Sequence, residues 1–193
     1  MDAVTLHNVP KLTGWIEVVS GCMFSGKTEE LIRRLRRAQI AKQNVMIFKP
    51  KIDNRYSKSH IVSHNEQSLI STVVEKPAEI MELGKNAQVI GIDEAQFFSP
   101  DLVEVCEQLA NEGKRVIVAG LDQDYRGQPF EPIPHLLAVA EYITKTLAIC
   151  VVCGNPADRT QRITPQQELV VVGARDVYEA RCRRCFVPPP NPD

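Results

Sequence analysis

Short apolar runs alternate with amphipathic stretches along the N-terminal part of the chain. The runs are rich in β-branched residues, which is typical of buried strands, and they lie at 15–20, 45–48, 89–92 and 115–119. Stretches with helical spacing of their apolar residues follow them, at 29–42, 77–86 and 101–112. Strands that alternate with helices in this way predict an α/β fold, in which helices cover both faces of a parallel sheet.

Weaker patterns extend this alternation toward the C-terminus. Strands are expected at 68–74 and 142–148, and a short helix at 136–140. Ser99 is predicted to cap the helix that follows it, because a serine side chain accepts a hydrogen bond from the free N–H groups of a first turn. Pro100 fits that first turn, since proline there loses no backbone hydrogen bond.

The segment 51–67 breaks the alternation. It is polar, it shows little periodicity, and it falls between two predicted elements of a compact domain. Long irregular segments in such places are often lids over a site. The alternative is a disordered surface insertion.

The turn after the first predicted strand matches the pattern G-x-x-x-x-G-K-[ST]. Its residues are Gly21, Cys22, Met23, Phe24, Ser25, Gly26, Lys27 and Thr28. A strand, a glycine turn and a helix in this order aim backbone N–H groups and the positive end of the helix at one point. Lys27 is expected to reach the β and γ phosphates of a nucleotide, and the Thr28 hydroxyl to bind Mg²⁺. The alternative is a glycine-rich turn that matches by chance.

Two carboxylates, Asp93 and Glu94, end the predicted strand 89–92. We expect that strand directly beside the first one, which places Asp93 near the phosphate-bound Mg²⁺. Glu94 is the next residue, so its side chain can face a second substrate. A carboxylate there can take a proton from an attacking hydroxyl or orient a water. The alternative is an acidic pair that caps a helix at a solvated strand end.

Four cysteines form two Cys-x-x-Cys pairs near the C-terminus. They are Cys150, Cys153, Cys182 and Cys185. Four thiolates from two such pairs suit a closed tetrahedral zinc site, which stabilises the fold and leaves no coordination position open for catalysis. The alternatives are a redox pair and ordinary core cysteines. Outside the pattern, Cys106 is predicted to lie in a helix core, and Cys22 has no assigned chemistry.

Composition narrows the class of protein. The chain has 193 residues, of which 44% are hydrophobic and 24% charged, and its formal net charge is −1. A balanced charge gives no basic field for nucleic acid. Residues 1–11 lack the pattern of a signal peptide and no apolar run has the length of a membrane span, so we expect a cytoplasmic protein with reduced or metal-bound cysteines.

These landmarks together resemble the cytosolic, zinc-containing (type II) thymidine kinases, and Bacillus-like bacterial members in particular. The motifs that carry the resemblance are the turn 21–28, the stretch 93–98, Gly120-Leu121-Asp122, Tyr125-Arg126-Gly127, the four cysteines, Arg162, and 170–174 through Tyr178. They span the chain from about residue 14 to residue 187. The resemblance implies an ATP-binding α/β domain at 1–148 with lid 51–67, and a zinc-ribbon domain at 149–193 with a lasso-shaped loop over the nucleoside.

The resemblance also implies a role for individual residues. Glu94 matches the general base on the nucleoside 5′-hydroxyl, Asp93 the residue that serves Mg²⁺, and Gln96 a residue of the ATP and Mg²⁺ site. The main chain that hydrogen-bonds the thymine ring matches Val170, Val171, Val172 and Gly173. Matches to other substrate-binding positions are Met23, Phe97, Leu121, Thr160 and Tyr178, with Tyr125 where many members have phenylalanine.

The activity implied is transfer of the γ-phosphate of ATP to the 5′-hydroxyl of thymidine, which gives dTMP and ADP. ATP, Mg²⁺ and a structural Zn²⁺ are the expected cofactors, and dTTP is an expected feedback inhibitor. A homotetramer with no nucleic-acid or membrane partner is expected. In the lid, Arg55 is the best candidate to meet phosphate charge, and the alternative is a solvated arginine.

Two other classes of function remain as rivals. A nucleic-acid-binding ATPase requires a basic face, and the candidates are Arg33, Arg34, Arg36 and Arg37. Their interleaving with apolar positions on one helix favours a solvated outer face over a phosphate track. The third option is a regulatory ATP-binding module without chemistry. ATP turnover that a nucleoside stimulates would separate a kinase from both.

Overall fold

The computed structural model describes residues 13–51, 60–62, 68–166, 168–171 and 176–189. The main strands are β1 (Trp15–Ser20), β2 (Val45–Pro50), β5 (Thr72–Val74), β6 (Val89–Ile92), β7 (Arg115–Gly120) and β8 (Tyr142–Lys145). The helices are α1 (Lys27–Ile40), α2 (Pro77–Leu83), α3 (Leu102–Asn111) and α4 (Ile133–Val139), with one 3₁₀ turn at Ala95–Phe97. The short strands are β3 (His60–Val62), β4 (Ser68–Ile70), β9 (Ala148–Ile149), β10 (Pro156–Ala157), β11 (Arg159–Arg162) and β12 (Tyr178–Arg181).

A parallel sheet of six strands in the order β5-β2-β6-β7-β1-β8 is the centre of the fold. The predicted α/β class is therefore confirmed. The prediction that the strand ending in Asp93 lies directly beside β1 is wrong, because β7 pairs with both β1 and β6 and lies between them. All of these strands still end at the same edge of the sheet, since they run in parallel.

Helices cover both faces of the sheet, as the near-continuous apolar strands require. On one face, α1 buries a stripe against Val19, Ile47 and Ile117; the stripe consists of Leu31, Ile32, Leu35 and Ala38. The other face packs against α2, α3 and α4. Alternate residues of a strand point to opposite faces, so Val18 joins one layer and Val19 the other. None of the helices in the described ranges has the length and apolarity needed to cross a bilayer.

Two predicted strands are each divided in the structure. The stretch 68–74 forms β4 and β5, which part at the buried Ser71 because they have different partners: β4 pairs antiparallel with β3, and β5 joins the main sheet beside β2. The stretch 142–148 ends its first strand at Lys145, after which Thr146 donates its N–H to Ser20 O and the chain leaves the sheet.

The predicted cap of α3 is also wrong. The residue that flanks the helix is Asp101, and no side chain caps it. Leu102 N donates to Ser99 O and Val103 N to Pro100 O, so Ser99 contributes its carbonyl to a preceding turn. The free N–H groups are satisfied by the backbone, and the serine hydroxyl is not needed.

The predicted lid 51–67 contains one ordered piece, the strand β3, which was expected to be irregular. Residues 52–59 and 63–67, with Arg55 among them, lie outside the described residues. The lid and the role of Arg55 therefore stay predictions.

The C-terminal part packs on the turn between β1 and α1. The small sheets β9–β10 and β11–β12 lie there, and the predicted domain boundary at 148/149 falls inside β9. The Cys22 thiol donates to Ala157 O at 3.3 Å, and Met23 N donates to Thr160 Oγ1 at 3.1 Å. The two parts of the chain are thus tied together at the glycine-rich turn.

A buried ion cluster on the α1 face fixes the start of β1. Arg115 Nε, Arg34 Nη1 and Trp15 Nε1 donate to the Glu17 carboxylate at 2.6, 2.7 and 2.8 Å. Burial raises the pKa of Glu17, but the hydrogen bonds and charges of these donors outweigh it, so the pKa lies below its usual value of 4.5. The cluster therefore stabilises the fold when Glu17 is ionised.

We expect Glu17→Gln to lower the free energy of unfolding by about 2 kcal/mol at pH 7. The amide keeps the shape but removes the counter-charge of Arg115 and one of the two carboxylate partners of Arg34, which still pairs with Glu30. Breaking a fully buried pair costs about 3–5 kcal/mol. We expect less here, because the Arg115 side chain is 22% exposed. A lowered folded-state pKa stabilises above the unfolded pKa, so the difference between the two proteins should shrink as the pH falls below about 4.5.

Urea denaturation at several pH values measures this difference. Glu104→Gln is the matched control, because Glu104 is exposed and its side chain accepts a hydrogen bond from Gln108, one turn away on α3. The control should stay within about 0.5 kcal/mol of the original protein. A Glu17→Gln protein of unchanged stability at pH 7, or a difference that grows in acid, would contradict the assignment.

Candidate functional site

The turn between β1 and α1 needs glycine at both of its ends. Gly26 precedes α1 with φ 84°, a left-handed conformation that glycine adopts without strain. A Cβ on Gly21 would lie 2.3 Å from Thr146 O, which no side chain tolerates. Ser25 Oγ and Thr146 Oγ1 are 2.9 Å apart, so the chain after β8 braces the turn from outside. The backbone there is preformed.

Lys27 folds back over this turn. It is half-buried, and its ammonium donates to Cys22 O at 2.8 Å. Burial lowers the pKa of Lys27, and the charges of Glu94 and Asp93 act in the opposite direction. The cation lies at the N-terminus of α1, where the helix dipole adds positive potential. Together they form a site that attracts an anion.

Asp93 and Thr28 meet at the sheet edge next to the turn. Asp93 is buried, and Thr28 Oγ1 lies 3.3 Å from its Oδ2. Glu94 N donates to Asp93 Oδ1 at 3.0 Å, which fixes the carboxylate plane. A hydroxyl and a carboxylate oxygen side by side are the hard ligands that Mg²⁺ prefers.

Glu94 turns away from the sheet in a left-handed conformation, with φ 51°. The buried Gln96 holds its side chain: Gln96 Nε2 donates to Glu94 Oε2 at 2.6 Å, and Gln96 Oε1 accepts from Leu121 N at 3.0 Å. Gln96 therefore ties the carboxylate to the end of β7. The resemblance assigned Gln96 to the ATP and Mg²⁺ site; this orienting contact was not predicted, because it depends on which strand lies between β1 and β6.

A narrow cavity of about 30 Å³ opens at the end of β7, where Leu121 lines it. Seven residues assigned to substrate from the sequence line it: Phe97, Leu121, Tyr125, Thr160, Val170, Val171 and Tyr178. Met23 packs in the same apolar cluster as Leu121 and Tyr178, whereas Val172 and Gly173 lie outside the described residues.

Four lining residues were missed from the sequence: Gln123, Asp124, Phe130 and Leu169. Gln123 and Asp124 lie between predicted positions, and proximity to Tyr125 was the only signal for them. Asp124 accepts from Arg126 N and Gln128 N, which shapes the loop that carries Tyr125. Phe130 meets Phe97 edge-on with ring centroids 6.3 Å apart, a long-range contact that no local pattern indicates.

The four predicted cysteines come together after β9 and β12. Their sulfur atoms all lie within 4.8 Å of one another, and Cys153 Sγ is 3.6 Å from Cys182 Sγ. Ligands about 2.3 Å from a tetrahedral zinc ion are about 3.8 Å apart, so the spacing fits such a metal. Burial raises the pKa of the Cys150 thiol, but backbone N–H groups around it lower it to about 6. A thiolate is the form that binds metal.

Cys106 and the basic face of α1 lie outside this site, whereas Cys22 lies in the glycine-rich turn, where its carbonyl accepts from Lys27. Cys106 is buried in the core as predicted, and burial raises its pKa. On α1, Arg33 and Arg34 both bond Glu30, and Arg34 also bonds Glu17. Arg33, Arg36 and Arg37 lie on the exposed face of α1, as expected for a solvated outer face, whereas Arg34 packs inward against Glu17 with 13% of its side chain exposed.

Comparison with known proteins extends over nearly the whole chain. A family model described as thymidine kinase matches residues 14–186. A curated relative, the thymidine kinase of Rhodothermus sp. (strain ITI 518), is 64% identical over 176 residues, which cover 91% of this chain and 83% of the relative. The matched span includes the glycine-rich turn, the carboxylates at the end of β6, the cavity and the cysteine cluster.

The cysteine geometry predicts about one metal ion per chain, and we expect Cys182→Ala to lose it. Removing one of the four thiolates leaves three sulfur ligands, which cannot complete a closed four-coordinate metal site. The melting temperature should fall at the same time, because the metal joins the ends of β9 and β12. Elemental analysis of the purified protein and a thermal melt measure both effects.

Cys106→Ala is the matched control, since it removes the same atoms from a buried position outside the cluster. It should lower stability modestly and leave the metal content unchanged. A metal-free original protein of full stability, or a Cys182→Ala protein that retains its metal, would contradict the site.

Proposed function

The chain belongs to the thymidine kinase family, so it phosphorylates thymidine with ATP, and we propose that Glu94 is the general base of this reaction. The observation that carries the proposal is the carboxylate held by Gln96 at 2.6 Å. Lys27, Thr28 and Asp93 on one side provide groups for phosphate and metal. On the other side, the cavity lined by Phe97 and Leu121 provides an apolar slot for a base.

In our proposal the phosphates of ATP lie on the backbone of 21–28. The first-turn N–H groups of α1 would donate hydrogen bonds to the phosphates, and the Lys27 ammonium would neutralise part of their charge, as is usual for a phosphate-binding turn. Thr28 and Asp93 would hold Mg²⁺, whose chemistry when bound is to neutralise phosphate charge. The turn is preformed by Gly21, Gly26 and the Ser25–Thr146 contact, so binding requires little reorganisation.

The chemical step is a direct phosphoryl transfer. The 5′-oxygen of thymidine forms a bond to the γ-phosphorus, and the bond from that phosphorus to the β-γ bridging oxygen breaks, so ADP leaves with its electron pair. Glu94 accepts the proton of the 5′-hydroxyl. Most of the acceleration comes from positioning and from neutralisation of charge by Lys27 and the backbone amides.

We place thymidine in the cavity beside Glu94. Phe97, Leu121 and Tyr125 supply apolar faces for the ring, and the backbone at Val170 and Val171 lies where it can bond the edge of the base. The Tyr125 hydroxyl accepts from Arg126 Nε at 3.3 Å, so the extra oxygen relative to phenylalanine has a partner. Val172 and Gly173 remain proposed contacts of the same loop.

For the metal at the cysteine cluster we propose structural zinc. Four sulfur ligands in a tetrahedral cage favour zinc and leave no open position for a reacting molecule. The ion would hold 149–193 as a compact unit whose loop covers the nucleoside, while 1–148 carries the nucleotide turn. We also propose that the lid 51–67 closes over the site and that Arg55 binds the phosphates of ATP.

We also propose a cytoplasmic homotetramer that dTTP inhibits. The outer strand β8 exposes Tyr142 and Ile143 to 59% and 54%, and an open sheet edge with apolar side chains is a surface that a second copy can cover. dTTP carries both the base that fits the cavity and the phosphates that fit the turn, so one molecule can span both sites. Light scattering and inhibition kinetics test these two points.

The direct test of the function is an assay with ATP and each of the common deoxynucleosides. We expect thymidine to be converted to its 5′-monophosphate, with deoxyuridine as the informative competitor because it lacks only the 5-methyl group. Product formation from purine deoxynucleosides alone, or ATP hydrolysis that no nucleoside stimulates, would exclude the proposal.

Glu94→Gln should separate binding from chemistry. The amide keeps the shape and can accept a hydrogen bond, but it cannot take a proton at neutral pH. General base catalysis typically contributes about a hundredfold to ten-thousandfold, so we expect turnover to fall by that factor while the affinities for thymidine and ATP change little. Steady-state kinetics and calorimetric thymidine binding measure the two quantities.

Asp93→Asn is the comparison variant, because it makes the same isosteric change on the metal side. It should raise the Mg²⁺ concentration needed for activity, whereas Glu94→Gln should leave the Mg²⁺ dependence unchanged. Normal turnover by Glu94→Gln, or loss of thymidine binding as complete as the loss of rate, would remove Glu94 from the role of base.

A further inference from the structure

Arg162, at the end of β11, donates to four acceptors on the loop that lines the cavity and on the strand that follows it. Its Nη1 bonds Gln166 O at 3.1 Å and also contacts Glu168 O, and its Nη2 bonds Leu169 O at 3.2 Å and the Tyr178 hydroxyl at 2.8 Å. The residue is 7% exposed. A buried guanidinium thus spreads its donors along the backbone of one short segment.

Carbonyl dipoles and aromatic faces balance this buried charge. In the described ranges, no carboxylate forms an ion pair with Arg162. Its guanidinium carbon lies 3.6 Å from the centre of the Tyr125 ring and 5.2 Å from that of Tyr178. A cation at such distances is attracted to the ring face, more strongly where water is excluded.

The contacts of Arg162 converge on the lining of the cavity. Leu169, Val170, Val171 and Tyr125 all belong to that lining. The Tyr178 hydroxyl, which accepts from Arg162, donates in turn to Val171 O at 3.0 Å. One cation therefore bonds the lining main chain directly and packs on the aromatic ring of a second lining segment.

We propose that Arg162 is a positioning residue that sets the shape of the nucleoside pocket. It acts through the backbone at 169–171 and through the rings of Tyr125 and Tyr178, and its side-chain hydrogen bonds in the described ranges end on this loop and on Tyr178. This inference rests on the proposed placement of thymidine in the cavity. It predicts that the loss of Arg162 weakens thymidine binding and leaves ATP binding and the chemical step intact.

Lysine cannot replace arginine in this role. The planar fork of a guanidinium donates in several fixed directions and stacks on a ring, whereas an ammonium is a compact point charge with three donors. Arg162→Lys thus retains the charge and most of the volume but loses the simultaneous contacts to Leu169 O and the Tyr178 hydroxyl. The variant isolates geometry from charge.

The test compares Arg162→Lys with Arg159→Lys. Arg159 is on the same strand three residues earlier, so the two side chains point to opposite faces of β11. For Arg162→Lys we expect the KM for thymidine to rise about tenfold or more, because charge-assisted hydrogen bonds are lost, with the KM for ATP and the kcat at saturating thymidine nearly unchanged. Arg159→Lys should leave all three constants unchanged.

Hydrogen exchange gives a second readout that does not depend on activity. In Arg162→Lys, the amides of 168–171 should exchange faster, while those of β1 and β7 should keep their protection. Saturating thymidine should reduce the difference in exchange rate between Arg162→Lys and the original protein, because the bound nucleoside then stabilises the loop. Metal content and melting temperature verify that the C-terminal part is folded.

The outcomes separate this inference from the proposed function. If the original protein phosphorylates thymidine and Arg162→Lys behaves as Arg159→Lys does, Arg162 has no positioning role and the function stands. If Arg162→Lys loses kcat, both affinities and metal together, its role is general stability and the inference is wrong. An original protein that does not act on thymidine would overturn the function itself.

Discussion

The parallel register of β6, β7 and β1 is the constraint on which the rest of the structure depends. Ser20 pairs with Gly120 across β1 and β7, and Ile92 pairs with Val118 across β6 and β7. The residues that follow these strands therefore emerge at one edge, within two residues of a common level. Because of this register, a single side chain, Gln96, spans from Glu94 to the amide of Leu121.

The C-terminal part depends on the same edge. Its strands lie against the glycine-rich turn, with Cys22 bonded to Ala157 O and the backbone N–H of Met23 bonded to Thr160. Thr160 also lines the cavity, so one residue contacts both the phosphate turn and the pocket for the second substrate. A metal ion at the cysteine cluster would stabilise this junction from behind, and its effect on the pocket would pass through β11 and β12.

Local patterns predicted the parts of the site that a few consecutive residues define. The turn 21–28, the carboxylates after β6 and the paired cysteines each carry their chemistry within a short stretch, and the apolar runs predicted the sheet. Contacts between distant segments were not predictable in this way. The position of β7 between β1 and β6 and the division of 68–74 at Ser71 depend on which strands pair. The carbonyl partners of Arg162 lie on the loop just after β11, and a backbone carbonyl has no sequence signature.

The two parts of the pocket lining are anchored by different contacts. Phe97 and Leu121 lie at the edge of the main sheet, where Gln96 bonds the Leu121 amide. The lining backbone at 169–171 has no strand partner in the described structure, and Arg162 and Tyr178 bond its carbonyls. Gln96 also holds the Glu94 carboxylate, so a change in the contacts of Arg162 affects the loop without removing the side chain that orients this carboxylate. The shape of the pocket and the placement of Glu94 therefore depend on different residues.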